Sequence, residues 1–327
     1  MRQIFLVAYF LLCVAYCLES SDISESQTHI EPFHPPETNR FQEVLDFFLP
    51  HFERKNVIFS KESTFFYITV QDTERHFRKL VFLPDHGSQS KIDLEHPNDV
   101  ILNFMRYSFI GPALLNKTPE KVLFIGLGAG TMPMFFRKLF PNSIIDIVEI
   151  DEGVLPVAEK YFGFKEDKKM KVINMDGRVF VNTNSNENYD LIFIDAYSAE
   201  TIPFQVTTVE FFQNIKKNLK KEGIIIANIA NFRNDEYTYS QFKTVNKVLP
   251  HLAIFVCPYQ SNFVLFASQM DYFSPDNLKK KLKEFDDTFK CNFQLSSYYD
   301  SLMDSEKIKN AMAKLSVITD DLAPFGD

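Results

Sequence analysis

The chain has 327 residues, 45% of them hydrophobic and 15% aromatic, enough apolar material to bury a large core in one large domain or two modest ones. Its formal net charge of −8 and pI near 5.5 argue against a nucleic-acid partner held by phosphate neutralisation. An acidic balance suits a cationic substrate, but it is also common among soluble proteins in general.

The N-terminus, with residues 1–18 as the signal segment, places Arg2 ahead of an apolar run from Ile4 to Tyr16, then small or neutral residues around Ala15, Cys17 and Ser20. This is a secretory signal pattern, short for a membrane span of about 20 residues. It reads as a cleavable signal peptide, with an uncleaved signal anchor as the alternative. The expected location is the secretory pathway, secreted or in the endoplasmic-reticulum lumen, with membrane attachment only through such an anchor. Residues 19–40, polar and Pro-containing, read as a linker. Residues 41–110 are expected to form a small N-terminal β-unit. There "TFFYITVQ" and "KLVFLP" flank the turn-like "DTERHFR" as a hairpin, and "NDVILNFMRYSFIGPALL" follows with helical spacing. "NKT" at Asn116 is the one N-glycosylation pattern, with Pro119 close behind. After signal removal only Cys257 and Cys291 remain, either as a bridge formed in an oxidising lumen or as two buried thiols.

Residues 111–327 form the main domain. "KVLFIG", "SIIDIVEID", "MKVINMD", "YDLIFID" and "IIIANIA" read as strands. Between them, "TMPMFFRKLF", "EGVLPVAEKYF" and "TVEFFQNIKKNLKKEG" read as helices, the last ending at Gly223. Alternating apolar strands and amphipathic helices predict an α/β fold with a mostly parallel sheet covered on both faces. "SQFKTVNKVLP" then reads as a helix, "HLAIFVCPY" and "NFVLFAS" as strands, and "SPDNLKKKLKEF" and "DSEKIKNAMAKL" as surface helices.

Chemistry gathers at the strand ends. The first strand runs into "GLGAG", where Gly126, Gly128 and Gly130 permit a tight turn against a ligand at a helix N-terminus. Thr131 breaks the dinucleotide pattern G-x-G-x-x-G, and no Gly-Lys-Ser/Thr follows, so a turn without a pyrophosphate is expected, as for S-adenosylmethionine. "VEID" places Glu149 where a carboxylate accepts ribose hydroxyls, with Asp151 as a further cofactor-binding candidate. Asp176 and Gly177 of "NMDGR" suit an adenine amino group and the ring beside it. Asp195 ends the fourth strand at the same edge of the sheet. The seven histidines form no H-E-x-x-H, and neither a G-x-S-x-G elbow nor a paired C-x-x-C is present in the mature chain, so no metal is expected.

Residues 64–229 resemble the spermidine-synthase-like group of the class I S-adenosylmethionine-dependent methyltransferase fold, through "VLFIGLGAG", "VEID", "MDGR" and "YDLIFIDAYSAETIP". "GLGAGTMPMFF" and "VEIDEGVLPVAEKYFGF" are also similar to the C-terminal domain of the dual elongation-factor methyltransferase. The tail "ITDDLAPF" is similar to the closing motif of divergent synthase-like proteins. The resemblance implies a Rossmann-like, seven-stranded sheet, S-adenosylmethionine or its decarboxylated form as cofactor, an amine-bearing small molecule or protein as substrate, and a possible homodimer.

Three departures bear on the reaction. Ala129 stands where aminopropyltransferases carry the Asp of "GGGDG", Ser198 stands at the second carboxylate of their Asp-x-x-Asp loop, and their Tyr-His-Glu or Tyr-Gln-Glu signature is missing. Each lost ion contact weakens hold on a polyamine by roughly 1.5–3 kcal/mol. The leading expectation is methyl transfer to an amine, with Asp195 taking or steering the proton and Tyr197 as aromatic wall or hydrogen-bond partner; Glu200 is a weaker candidate. Aminopropyl transfer to a diamine is the alternative. A secreted, non-catalytic binding protein on the same fold is a third reading.

Overall fold

Where one hairpin was predicted, the computed structural model builds a four-stranded antiparallel meander: β1 (Val57–Glu62), β2 (Tyr67–Asp72), β3 (Phe77–Leu83) and β4 (Ser90–Asp93). The inner pair carries the predicted β-branched and aromatic runs. β1 is an edge strand with mostly exposed residues and β4 is four residues long, so neither shows a hydrophobic alternation to read. The structure describes residues 56–73, 76–83, 88–184, 188–197, 202–230, 235–258 and 262–321. The signal segment, the linker, Ser198, Glu200 and the "LAPF" end of the tail lie outside them. Every described residue belongs to one compact unit, Glu53–Asp327.

The predicted helix before the main sheet is two short ones, α1 (Asn103–Ser108) and α2 (Ile110–Leu114). Pro112 supplies the break, because its ring lacks an N–H and crowds the carbonyl four residues back, that of Ser108.

The large sheet contains β5 (Lys121–Ile125), β6 (Ile144–Glu149), β7 (Met170–Asn174), β8 (Tyr189–Ile194), β9 (Leu219–Ala230), β10 (His251–Cys257) and β11 (Asn262–Ser268). Their spatial order is β10-β11-β9-β8-β5-β6-β7, and β11 alone points opposite to the other six. Around it lie α3 (Thr131–Leu139), α4 (Val154–Phe162), α5 (Gly177–Thr183), α6 (Val209–Asn218), α7 (Asp235–Val248), α8 (Pro275–Thr288) and α9 (Ser305–Met312). This is the mostly parallel α/β architecture expected.

Alternate residues of β5 enter opposite cores: Val122 and Phe124 join one apolar cluster, Leu123 and Ile125 the other. A strand buried on both faces explains why "VLFI" shows no polar alternation. Phe124 and Phe193 stack at 4.4 Å across β5 and β8, and Phe136 of α3 packs its edge on both.

Two boundaries differ from expectation. α6 ends at Asn218 rather than Gly223, because Leu219 already pairs with Tyr189; the chain then bulges before Ile224 meets Leu191. α5 was not predicted. Its cap is Asp176, whose side chain accepts the Val179 N–H (2.9 Å), a local bond that starts a helix in a sequence of ordinary propensity. Cys257 and Cys291 are free thiols, pushed up to about 12 and about 11 by burial.

Candidate active site

The chain leaves β5 toward β6 and β7 on one side, and returns to β8 and β9 on the other. The carboxyl ends of β5 and β8 therefore flank the crevice where open α/β sheets bind ligands. A cavity of about 280 Å³ occupies that crevice. Its floor includes the stacked Phe124 and Phe193, and the small sheet and its turns add Phe65, Phe66, Phe82 and Gln89.

Gly126 opens the turn after β5 with φ of +104°, and a Cβ there would lie 2.3 Å from the Asp195 carbonyl oxygen. Asp195 N–H in turn donates to Ile125 O (2.9 Å). Glycine is what lets the two strand-end loops touch. Gly128 also lines the cavity, with Ser90 Oγ directly behind it. Gly130 does not line it: a Cβ there would strike Phe164 at 2.3 Å, so this glycine serves packing.

Glu149 reaches the cavity from the end of β6, its Oε2 accepting Leu127 N–H (2.9 Å) and its Oε1 Asp151 N–H (3.0 Å). Burial raises its pKa against the opposing pull of those backbone donors. Ile150 N–H acts on the carboxylate as a further backbone donor, and part of its acceptor capacity remains for a hydroxyl group. Asp151 is fully buried and faces away from the cavity lining. It accepts Ser63 Oγ–H, Phe65 N–H (3.0 Å) and Gly153 N–H (2.8 Å), pinning the turn of the small sheet that carries Phe65. Asp176 and Gly177 both line the cavity. Gly177 also allows α5 to sit on β5, since a Cβ there would lie 2.5 Å from Ile125 Cγ2.

Asp195 lines the same cavity beside the Gly126 turn. Desolvation pushes its pKa up to about 6, opposed by the amide of Asn228, which donates to Oδ1 (2.8 Å). Tyr197 lines the same wall, its hydroxyl donating to the Asn228 carbonyl (2.7 Å). Of the nine sequence-derived site residues, the structure brings Gly126, Gly128, Glu149, Asp176, Gly177, Asp195 and Tyr197 around one cavity and leaves Gly130 and Asp151 behind it. Sequence reasoning missed Phe65, Phe66, Gln89, Gln205 and Asn228. None of them stood out in the sequence: Asn228 lies inside the strand run "IIIANIA", two residues before β9 ends at Ala230.

The cavity suits an adenosyl ligand: a glycine turn that side chains would fill, a buried carboxylate with acceptor capacity remaining, and an aromatic wall. Its described lining holds three carboxylates and no Lys, Arg or His. One grouping of possible metal ligands exists among the described residues, Asp93, Glu95 and His96. Asp93 Oδ1 there accepts the N–H groups of Glu95 (2.9 Å) and His96 (3.4 Å), so the group is an exposed turn on β4.

Comparison with known proteins places residues 110–280 within the spermine/spermidine synthase domain. The chain is 32% identical over 179 residues to a polyamine aminopropyltransferase of Vibrio vulnificus, covering 53% of this chain and 60% of that one. It is 30% identical over 208 residues to the eEF1A lysine and N-terminal methyltransferase of Xenopus laevis, covering 57% of this chain and 30% of that one. It thus spans less than two thirds of either relative. Among solved structures, a probable spermidine synthase from Corynebacterium glutamicum superposes with a TM-score of 0.66 at 18% identity, over 82% of this chain and 98% of that one. Human methyltransferase-like protein 13 in complex with SAH gives 0.55 at 26% identity, over 59% and 95%.

Proposed function

The chain belongs to the spermine/spermidine synthase domain family, and from that premise we propose that it transfers an alkyl group from an adenosyl sulfonium to an amine, with a methyl group as the group moved. The observation that carries the reading is Asp195: a carboxylate with a pKa near 6, beside the glycine turn, at the crevice between β5 and β8.

Held by these residues, an adenosyl sulfonium would supply an electrophilic carbon to an amine nitrogen, with the electron pair of the broken C–S bond going to sulfur. The nitrogen must be neutral to attack, so an ammonium acceptor first gives a proton to the Asp195 carboxylate. A base near pKa 6 is ionised at neutral pH and accepts more readily than an exposed aspartate. Glu149 would hold the ribose hydroxyls, and the glycine turn would admit the ligand close to the backbone. Asp176 has one oxygen engaged in capping α5 and its carboxylate at the cavity edge for the adenine amino group. Tyr197 and Phe65 form aromatic walls that favour cationic groups.

Ala129 supports methyl over aminopropyl transfer. It is fully buried with its N–H donating to Ser90 Oγ (3.0 Å), so no carboxylate stands there to hold an aminopropyl ammonium. A specific observation favours the second reading: a described lining without Lys, Arg or His offers no ion partner for the carboxylate of S-adenosylmethionine, whereas its decarboxylated form lacks that group. Purified full chain incubated with methyl-labelled S-adenosylmethionine, or aminopropyl-labelled decarboxylated donor, against diamines and lysine-bearing peptides separates the two. Methyl label on an amine is expected. Label reaching a polyamine from the decarboxylated donor alone reverses the assignment.

The apolar leader is the support for placing this chemistry in the secretory pathway. Protease protection of the expressed protein within microsomes is the expected result.

A further inference from the structure

Behind Asp195 two asparagines stand in line. Asn228 on β9 is buried, and its Nδ2 donates to Asp195 Oδ1 (2.8 Å). Its own Oδ1 accepts from Nδ2 of Asn262, the first residue of β11 (2.7 Å). The direction of this chain follows from chemistry. An ionised carboxylate can only accept, so Asn228 must turn its NH₂ toward Asp195, and its oxygen, facing the other way, then needs a donor. Asn262 provides one. The backbone is held on both sides: Asn228 pairs with Val264 in the β9–β11 ladder, and its carbonyl accepts the Tyr197 hydroxyl (2.7 Å).

We propose that Asn262 is a positioning residue that sets the polarity of this relay: by donating to Asn228 it locks the amide with its NH₂ toward Asp195 and so favours the ionised base. The proposal rests on the reading of Asp195 as proton acceptor. No proton passes along the relay, because both asparagines stay neutral. Without the Asn262 donor the Asn228 amide is free to turn over. Its oxygen then accepts a hydrogen bond from the protonated acid, which shifts Asp195 toward the neutral form.

The ionisable groups sharing the cavity with Asp195, among the described residues, are Glu149 at the end of β6, Asp176 ahead of α5, and the Tyr197 hydroxyl on its own loop. The β5 turn contributes only backbone beside it, and β9 and β11 contribute the two asparagines. A neutral substitution at residue 262 leaves all those charges in place, so a change in Asp195 titration reports the relay.

The test compares full-chain wild type, Asn262→Leu and Asn262→Thr, each labelled with carboxyl-¹³C aspartate, by NMR titration. The Asp195 resonance is identified by its loss in Asp195→Asn, and melting curves verify folding. Asn262→Leu removes the donor and is expected to titrate well above the wild type. At pH below the wild-type midpoint it should leave about tenfold less ionised carboxylate, the factor carried by one hydrogen bond's worth of stabilisation. Asn262→Thr keeps a hydroxyl donor on a strand-compatible side chain and should stay near the wild type. A folded Asn262→Leu protein that titrates like the wild type overturns the proposal, and so does a Thr variant that shifts as far as Leu. The acidic limb of the transfer rate is read in parallel. Should the NMR midpoint move while that limb does not, the relay stands and the role of Asp195 as proton acceptor fails.

Discussion

Asp195 and Gly126 set the chemistry and the geometry at the scale of single residues, and they respond oppositely to mutation. Asp195→Asn removes the proton acceptor and keeps the shape, so transfer should fall roughly 10²–10⁴-fold. Stability should move the other way. The folded pKa, about 6, lies above that of an unfolded aspartate, so the folded state gains a proton first as pH falls, and above about 6 it bears a half-buried, desolvated charge. Melting at pH 8 should therefore be higher for Asp195→Asn than for wild type, with the gap closing toward pH 4. Gly126→Ala should lose stability by roughly 1–3 kcal/mol from the backbone conformation alone, with more from the clash with Asp195 O, measured by denaturant unfolding. Cofactor binding should fall with it, because the same contact shapes the crevice.

Among the elements, α5 and the tail have the clearest shared task. Arg178, two residues past Asp176, donates to Gln205 O (2.8 Å), Thr208 Oγ1 (2.9 Å) and Asp320 Oδ1 (2.8 Å), and its second nitrogen reaches Asp320 Oδ2. The tail is held besides by Ile318 N–H on Thr244 Oγ1, by Val209 N–H on Ile318 O and by Asp320 N–H on Glu210 Oε2. Thus "ITDD" ties the Asp176 side of the cavity to the segment that brings Pro203, Gln205 and Val206 to its lining. The hydrogen bond from Arg178 holds the Asp320 carboxyl below its usual range. A double-mutant cycle on Arg178→Ala and Asp320→Ala should give a coupling of about 1 kcal/mol, modest because Asp320 is part-exposed. Arg178→Lys should still weaken binding of an adenosyl ligand in calorimetry, since one ammonium cannot replace the fork that spans three partners.

For the molecule as a whole, the end of the sheet opposite the site is closed by charge. Asp190 in β8 is buried, accepts the N–H groups of Glu120 (2.8 Å) and Lys121 (3.0 Å), and meets Lys117 (2.9 Å) and Lys220 (3.1 Å). Burial works to raise its pKa, but these cations and donors together outweigh it, and the net shift is downward. A depressed carboxylate contributes stability above the unfolded pKa, and that contribution is lost as pH falls through the folded value. Acid unfolding followed by circular dichroism should therefore steepen below about pH 4 in the wild type. Asp190→Asn should be destabilised at neutral pH and lose less on acidification.

How much of this was legible beforehand follows from the range of the forces involved. Strand-ending signals such as "LIFID", "VEID" and "NMDG" are local, because a buried strand needs an apolar run and a carboxylate must stop it. The sequence by itself therefore determined the parallel α/β fold and a crevice at the carboxyl ends of its strands, and seven of its nine candidate residues line the cavity found there. What only the tertiary structure decided depends on partners distant in the chain. Gly130 was spoken for by Phe164, and Asp151 by Ser63 and Phe65, 88 and 86 residues away. Asn228 and Asn262 acquired meaning only when β11 came antiparallel beside β9. A side chain's type is written in the chain, but which of its hydrogen bonds is already taken is known only once folding has brought its partners into reach.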